Sequence, residues 1–258
     1  MKSLKMIVVA TLLGMTAGCG NKESAPDINV ETLKQGISDR LSLRAQAITD
    51  YSCDLESKLT MRSEGSDRSS EMSLKLTMKN TGESKLEFIK GHRGGFELTK
   101  KDYEQLERRK HNPESRGADQ SGEETQVFEF KKYLPDMKLI SAEKLDKTKT
   151  YKLEIEPLKT ADKFKKITLW VDTVNFDVIK IIAEMHTRSA NDVSEVVEYY
   201  SPIGPNNLTM KVALQSRTVR SFETPRGKMT MDLTAKKSYS NYTFNQGFAV
   251  DFFEKPAR

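Results

Sequence analysis

From Tyr51 onward the apolar residues of this chain fall on every second position, and they do so in one segment after another. Tyr51, Cys53, Leu55, Leu59 and Met61 alternate with Ser52, Asp54, Glu56, Lys58, Thr60 and Arg62. After the polar turn at residues 64–70, Met72, Leu74, Leu76 and Met78 alternate with Ser73, Lys75, Thr77 and Lys79. A period of two puts one set of side chains on one face of a strand, so these segments read as a half-buried antiparallel hairpin. Lys85–Lys90 reads as a third strand with Leu86 and Phe88 on one face. Further strands are expected at Tyr151–Glu156, Ile167–Asp172, Val178–Met185, Glu195–Tyr200, Leu208–Thr218 and Lys228–Lys237. The turns at 172–175 and 201–207 carry the Asp, Asn, Gly and Pro that such connections need. About nine strands with one apolar face each specify a large, strongly curved antiparallel sheet whose apolar face requires a cover.

A helix precedes the strands. Val30, Leu33, Ile37, Leu41, Ala45 and Ile48 recur at three- and four-residue steps, which places them on one face, with Asn29 or Asp27 available as the N-cap and Gly36 as a modest weakness. Two segments break the strand rhythm. Residues 91–126 open on Gly91, His92, Arg93, Gly94 and Gly95, pass through a charged stretch and end in a Gly-, Ser- and acid-rich run. Such a segment reads as a disordered insertion or a lid, with a short helix through Tyr103 and Leu106. Residues 131–147, with Tyr133, Leu134, Met137, Leu139 and Ile140 around Pro135, read as one short helix packed on the sheet.

The N-terminus carries a different message. Lys2 and Lys5 precede an apolar run from Met6 to Met15, followed by Thr16, Ala17, Gly18 and Cys19. This is the layout of an export signal, residues 1–18, cleaved after Gly18. Its run is short of the roughly 20 residues a spanning helix needs. A Cys directly after the cut matches a lipobox, so Cys19 is expected to be the acylated first residue of the mature chain, tethering it to a membrane. Residues 19–28 then form a flexible tether. The absence of Asp after Cys19 favours the outer membrane, with the chain facing the periplasm. The net charge of +5 falls to about +3 once Lys2 and Lys5 are removed, with both signs scattered along the chain. That excludes a nucleic-acid binder as the leading reading. Cys53 is the second and last cysteine, so no disulfide framework is available and burial must hold the fold.

Catalytic chemistry is not visible. His92, His111 and His186 lack partners at metal-ligand spacing, and no Gly-x-Ser-x-Gly elbow, phosphate loop or Cys–His pair occurs. The reading is a non-enzyme without metal or cofactor. Methionine is concentrated in the apolar phase of the strands, at Met61, Met72, Met78, Met210, Met229 and Met231. Flexible thioethers suit either gap-filling in a core or a cavity accepting variable aliphatic ligands.

Three segments carry a family resemblance. The helix leads directly into Tyr51-Ser-Cys-Asp-Leu-Glu-Ser-Lys-Leu; Ile167-Thr-Leu-Trp-Val-Asp-Thr-Val-Asn-Phe-Asp-Val-Ile-Lys forms a hairpin; and the tail Tyr242-Thr-Phe-Asn-Gln-Gly-Phe-Ala-Val-Asp-Phe-Phe closes the domain. The chain resembles the outer-membrane lipoprotein carrier superfamily of the LolA, LolB and LppX type. The resemblance implies an α+β, mainly β fold: an incomplete β-barrel over residues 29–258, its concave face covered by the N-terminal helix and short helices. It also implies a lipid-binding face, expected at Leu55, Leu59, Met61, Leu74, Leu76, Met78, Met210, Met229 and Met231. The expected role is binding lipid, or the acyl chains of a lipoprotein, in sorting or lipid transfer to the outer membrane, with an envelope transport partner of unknown identity. The alternative is a regulatory module sensing mislocalised lipoproteins through the same fold. The carrier's single gating arginine has no assignable equivalent, since Arg62, Arg93 and Arg188 fit equally well.

Overall fold

The computed structural model describes residues 28–63, 66–110, 133–156, 164–187, 189, 192–225 and 227–253. The export signal, Cys19 and nearly all of the tether lie outside these residues. Helix α1 spans Val30–Ala47 and is capped as its sequence predicts, with the Asn29 side chain accepting from Glu31 N at 2.8 Å. Leu33 and Ile37 on its inner stripe are buried, and Ile48 closes the helix with its N–H on Arg44 O.

Eleven strands follow in one antiparallel sheet. They are β1 (Asp50–Ser63), β2 (Ser66–Lys79), β3 (Ser84–Arg93), β4 (Phe96–Glu97), β5 (Met137–Leu145), β6 (Thr148–Ile155), β7 (Phe164–Asp172), β8 (Val178–Met185), β9 (Val193–Pro202), β10 (Thr209–Thr224) and β11 (Gly227–Phe244). The spatial order is β4-β3-β2-β1-β11-β10-β9-β8-β7-β6-β5. Since β4 and β5 are both edges, the curved sheet stays unclosed, as the fold expectation required. Every neighbour is also a sequence neighbour except β1 and β11, which pair over nearly their whole length from Tyr51↔Phe244 to Ser63↔Met231.

Two parts depart from the sequence reading. The described part of the segment expected as one helix, residues 133–147, is not one helix. A 3-10 turn at Leu134–Asp136 leads into strand β5, because Met137 and Leu139 alternate inward opposite Ile155 and Leu153, while a bulge after Leu139 shifts the phase. The described part of the stretch expected as an insertion, residues 91–110, forms regular elements. It completes β3, turns at Gly94 and Gly95 with positive φ, adds the two-residue β4, and forms helix α2 over Lys100–Lys110. The helix expected through Tyr103 is therefore present, with Tyr103 stacked on Phe88 at 5.1 Å between ring centres. Residues 111–132 lie outside the description.

The two helices cover opposite wings of the concave face. Under α1, Leu33 and Ile37 meet Leu153, Ile155, Ile167, Leu169, Val171 and Ile181 of β6, β7 and β8. Gly36 permits this approach, because a Cβ there would lie 2.5 Å from the Phe176 ring. Under α2, Tyr103 joins Cys53, Leu55, Leu74, Leu76, Met78 and Tyr239. The closing motif has a visible purpose: Asn245 accepts from Thr49 N and donates to Ala47 O, and the buried Asp50 carboxylate accepts from Gln246 N and Gly247 N. Asn245 and Gly247 both hold positive φ, which these residue types tolerate.

Helix α1 is also pinned by a bidentate ion pair, Arg40 Nε and Nη2 on Asp177 at 2.8 and 2.7 Å, with Thr209 Oγ1 on the same carboxylate. The Arg40 pKa is raised chiefly by this hydrogen bond. Asp177→Ala should cost roughly 3 kcal/mol, toward the low end for removing one partner of a buried pair, because the Arg40 side chain retains 19% exposure. Urea denaturation checks this, and a loss below 0.5 kcal/mol, marked by ~0 shift in midpoint, would show that the pair does not hold the helix.

Candidate functional site

The register divides the expected lipid-facing residues into two groups. Leu55, Leu74, Leu76 and Met78 are buried within the cluster beneath α2, and Met210 is buried with Ile48 and Leu208 at the end of α1. These side chains fill the core of this conformation. Leu59, Met61 and Met231 are half-buried, Met229 is 36% exposed, and none of them belongs to the three buried clusters.

These four lie together. On β1 and β11, Leu59 faces Ala235, Met61 faces Leu233 and Ser63 faces Met231; on β10, Thr218 faces Leu233 and Phe222 faces Met229. Because β1, β2, β10 and β11 run far beyond the reach of the two helix-covered clusters, their outer ends form a trough of half-buried Leu, Met and Phe on the concave side. The sequence reading did not single out Leu233 and Phe222, although both sit in the alternating phase.

A polar group that sequence reasoning missed separates the two wings. Glu198 is 8% exposed and opposes Ile181 and Leu214, which belong to the clusters on either side. Its carboxylate accepts from Lys211 Nζ at 2.6 Å and Tyr200 Oη at 2.5 Å, and Tyr242 Oη donates to Lys211 O at 2.5 Å. A bulge between Lys211 and Ala213 puts Lys211 in phase with Leu214, so simple alternation could not place it.

Burial raises the Tyr200 and Tyr242 hydroxyl pKa values well above the ordinary phenol, with Glu198 adding to the first and Cys53 and Tyr51 to the second. In the folded chain both stay neutral above pH ~10, where the unfolded chain ionises. The unfolded state therefore loses protons first, and stability falls as pH rises above about 10. Urea midpoints measured from pH 8 to 11 should show that fall, made shallower by Tyr242→Phe; identical slopes in parent and variant would remove Tyr242 as a cause.

No group of three or more His, Cys, Asp or Glu side chains is placed to hold a metal among the described residues. Cys53 is buried and in no disulfide. No described helix is long and apolar enough to cross a membrane.

An unclosed antiparallel sheet with a helix over each wing is the incomplete barrel that the sequence reading expected. No family model matches the chain, and no curated protein matches it. Among solved structures, it is similar to a putative outer membrane lipoprotein-sorting protein domain from Vibrio parahaemolyticus, at 14% identity over 87% of this chain and 97% of that one, with a TM-score of 0.44. A DUF1329 family protein from Desulfovibrio piger is similar at 12% identity over 87% and 97%, with a TM-score of 0.42. A LolA superfamily protein from Nitrosomonas europaea is similar at 11% identity over 88% and 98%, with a TM-score of 0.35. At these identities the likeness is one of architecture alone.

Proposed function

We propose that this chain is an acylated lipoprotein of the cell envelope, anchored through Cys19, whose trough binds lipid or the acyl chains of another lipoprotein during sorting or transfer to the outer membrane. The observation that carries the reading is the contiguous half-buried strip of Leu59, Met61, Met231 and Leu233, which belongs to none of the packed clusters among the described residues. Contiguous apolar surface that a fold leaves without a cover marks an interaction site. Each methylene buried there contributes about 0.8 kcal/mol, so one acyl chain supplies on the order of 10 kcal/mol before entropy costs. Unbranched methionines let the strip adapt to chains of different length. Headgroup and protein context, not acyl affinity, must then set selectivity.

Two measurements test the proposal. The chain purified from membranes should release stoichiometric acyl lipid into organic solvent, identified by mass spectrometry. After delipidation it should take up a fluorescent fatty acid. A chain that carries no lipid and takes none up would end this reading.

A further inference from the structure

The charges of the sheet are not distributed like those of the sequence. Following the strand register, each charged residue at a paired position can be assigned to the concave or the convex face. The buried anchors Leu55, Leu74, Leu153, Leu169 and Ile181 mark the concave side. On the convex side cations and carboxylates alternate and pair: Lys58 with Glu71 at 2.6 Å, Lys166 with Glu154 at 2.8 Å, and Arg217 with Asp232 at 2.8 Å. On the concave side, among the described paired positions, Glu198 is the single carboxylate, and Lys211 and Tyr200 already occupy it.

Cations on the same face outnumber it around the trough. Arg68 opposes Met61, Arg220 opposes Met231, Arg93 opposes Ser70, and Lys237 lies between Ser57 and Leu214. Arg68, Arg93 and Arg220 are exposed and sit toward the outer ends of their strands, so they bracket the apolar strip at its mouth. Arg68 stands on β2 and Arg220 on β10, with Met61 on β1 and Met231 and Leu233 on β11 between them. Strands about 4.8 Å apart put roughly 14 Å of sheet between the two guanidinium-bearing residues, a span that the concave curvature shortens. An apolar floor flanked by guanidinium groups, with the single concave carboxylate among the described paired positions already neutralised, fits one ligand chemistry: acyl chains on the strip and a phosphate-bearing headgroup between the arginines.

We propose that the trough selects lipids with an anionic phosphate headgroup over zwitterionic or neutral lipids with the same acyl chains. This rests on the lipid-binding reading and adds the ligand class to it. The mouth arginines fork onto the headgroup phosphate, and the acyl chains cover Leu59, Met61, Met231 and Leu233.

The test uses the full chain, delipidated and incubated with vesicles of equimolar dioleoylphosphatidylglycerol and dioleoylphosphatidylcholine. The protein is re-isolated at high salt, to strip surface-adsorbed vesicles, and its lipid is quantified by mass spectrometry. Phosphatidylglycerol should be enriched about tenfold, the sum of two or three partly exposed charge contacts. The double variant Arg68→Gln/Arg220→Gln should bring the ratio to within about twofold of unity at unchanged melting temperature, with phosphatidylcholine still loaded, and Arg68→Lys/Arg220→Lys should keep most of the preference. Equal loading of both lipids by the parent, or a preference that the Gln variant retains, would overturn the headgroup assignment while leaving lipid binding intact. Absence of either lipid would overturn both. Displacement of bound lipid by free glycerol 3-phosphate would show a soluble-phosphate site in place of a lipid one.

Discussion

Leu169→Ala is expected to destabilise the domain by about 4 kcal/mol and to lower its melting temperature by roughly 10 °C, whereas Leu59→Ala should change stability by less than about 1 kcal/mol. Leu169 is 1% exposed and packs beneath α1 with Ile167, Leu153 and Ile181, so truncation leaves a cavity that the close-packed sheet cannot collapse. Leu59 lies on the half-buried strip, where the lost methyl groups already had water on one side. The functional order should be the reverse. Leu59→Ala should weaken retention of a bound fatty acid severalfold. Leu59→Glu should abolish retention, because a carboxylate would then lie against hydrocarbon. Denaturation and fatty-acid binding on the same samples check both halves. If Leu59→Ala costs as much stability as Leu169→Ala, the strip is ordinary core and the trough does not exist.

Cys19→Ala is expected to remove acylation altogether. In the proposed anchoring the thioether to a diacylglyceryl group would form at the Cys19 sulfur, and alanine supplies no nucleophile in its place. Labelling cells with a fatty-acid analogue should give no signal in the variant, and its precursor should either persist uncleaved after Gly18 or leave the membrane fraction. A variant labelled as strongly as the parent would show that the first nineteen residues are not a lipoprotein signal. The sheet and its helices should fold in either case, since every element described begins at residue 28 or later.

Where one periodicity holds without interruption, the sequence was sufficient. The α1 stripe, the β1–β2 hairpin and the bounds Val178–Met185 of β8 all follow from spacing alone. Bulges account for most of what was lost. In β5 the bulge between Leu139 and Ser141 leaves Leu139 and Ile140 adjacent, which imitates a helical pair and hid a strand. In β3 a shift between Ser73 and Leu74 of its partner lets the strand continue to Arg93, past the point where alternation stopped. In β11 an extra residue near Asn241, whose φ is 53°, carries the strand to Phe244 instead of ending it at Lys237. The candidate site suffered in the same way. Alternation identified which residues share a face, but not how far each strand extends beyond the helices, and that decides between core at Leu76 and trough at Leu59. The Glu198–Lys211 pair was hidden by the bulge between Lys211 and Ala213, and Arg68, Arg93 and Arg220 fall beyond the strand ends that alternation marked out.

The pairing of β1 with β11 has a consequence for how such a molecule comes into being. Strands β1 to β4 can form among themselves, as can β5 to β11, but the seam between the halves waits for the last strand, and α1 at the start of the chain must settle on β6 to β8 near its middle. In a chain that emerges from its N-terminus the first hairpin, ending at Lys79, therefore waits for its β11 partner until about 165 further residues have followed, to Phe244. Contacts so distant in sequence form slowly, on a scale of milliseconds to seconds. During that interval the strip of Leu59 and Met61 lacks its β11 neighbours, so under the proposed lipid-binding role an acyl chain would find it before the sheet is joined.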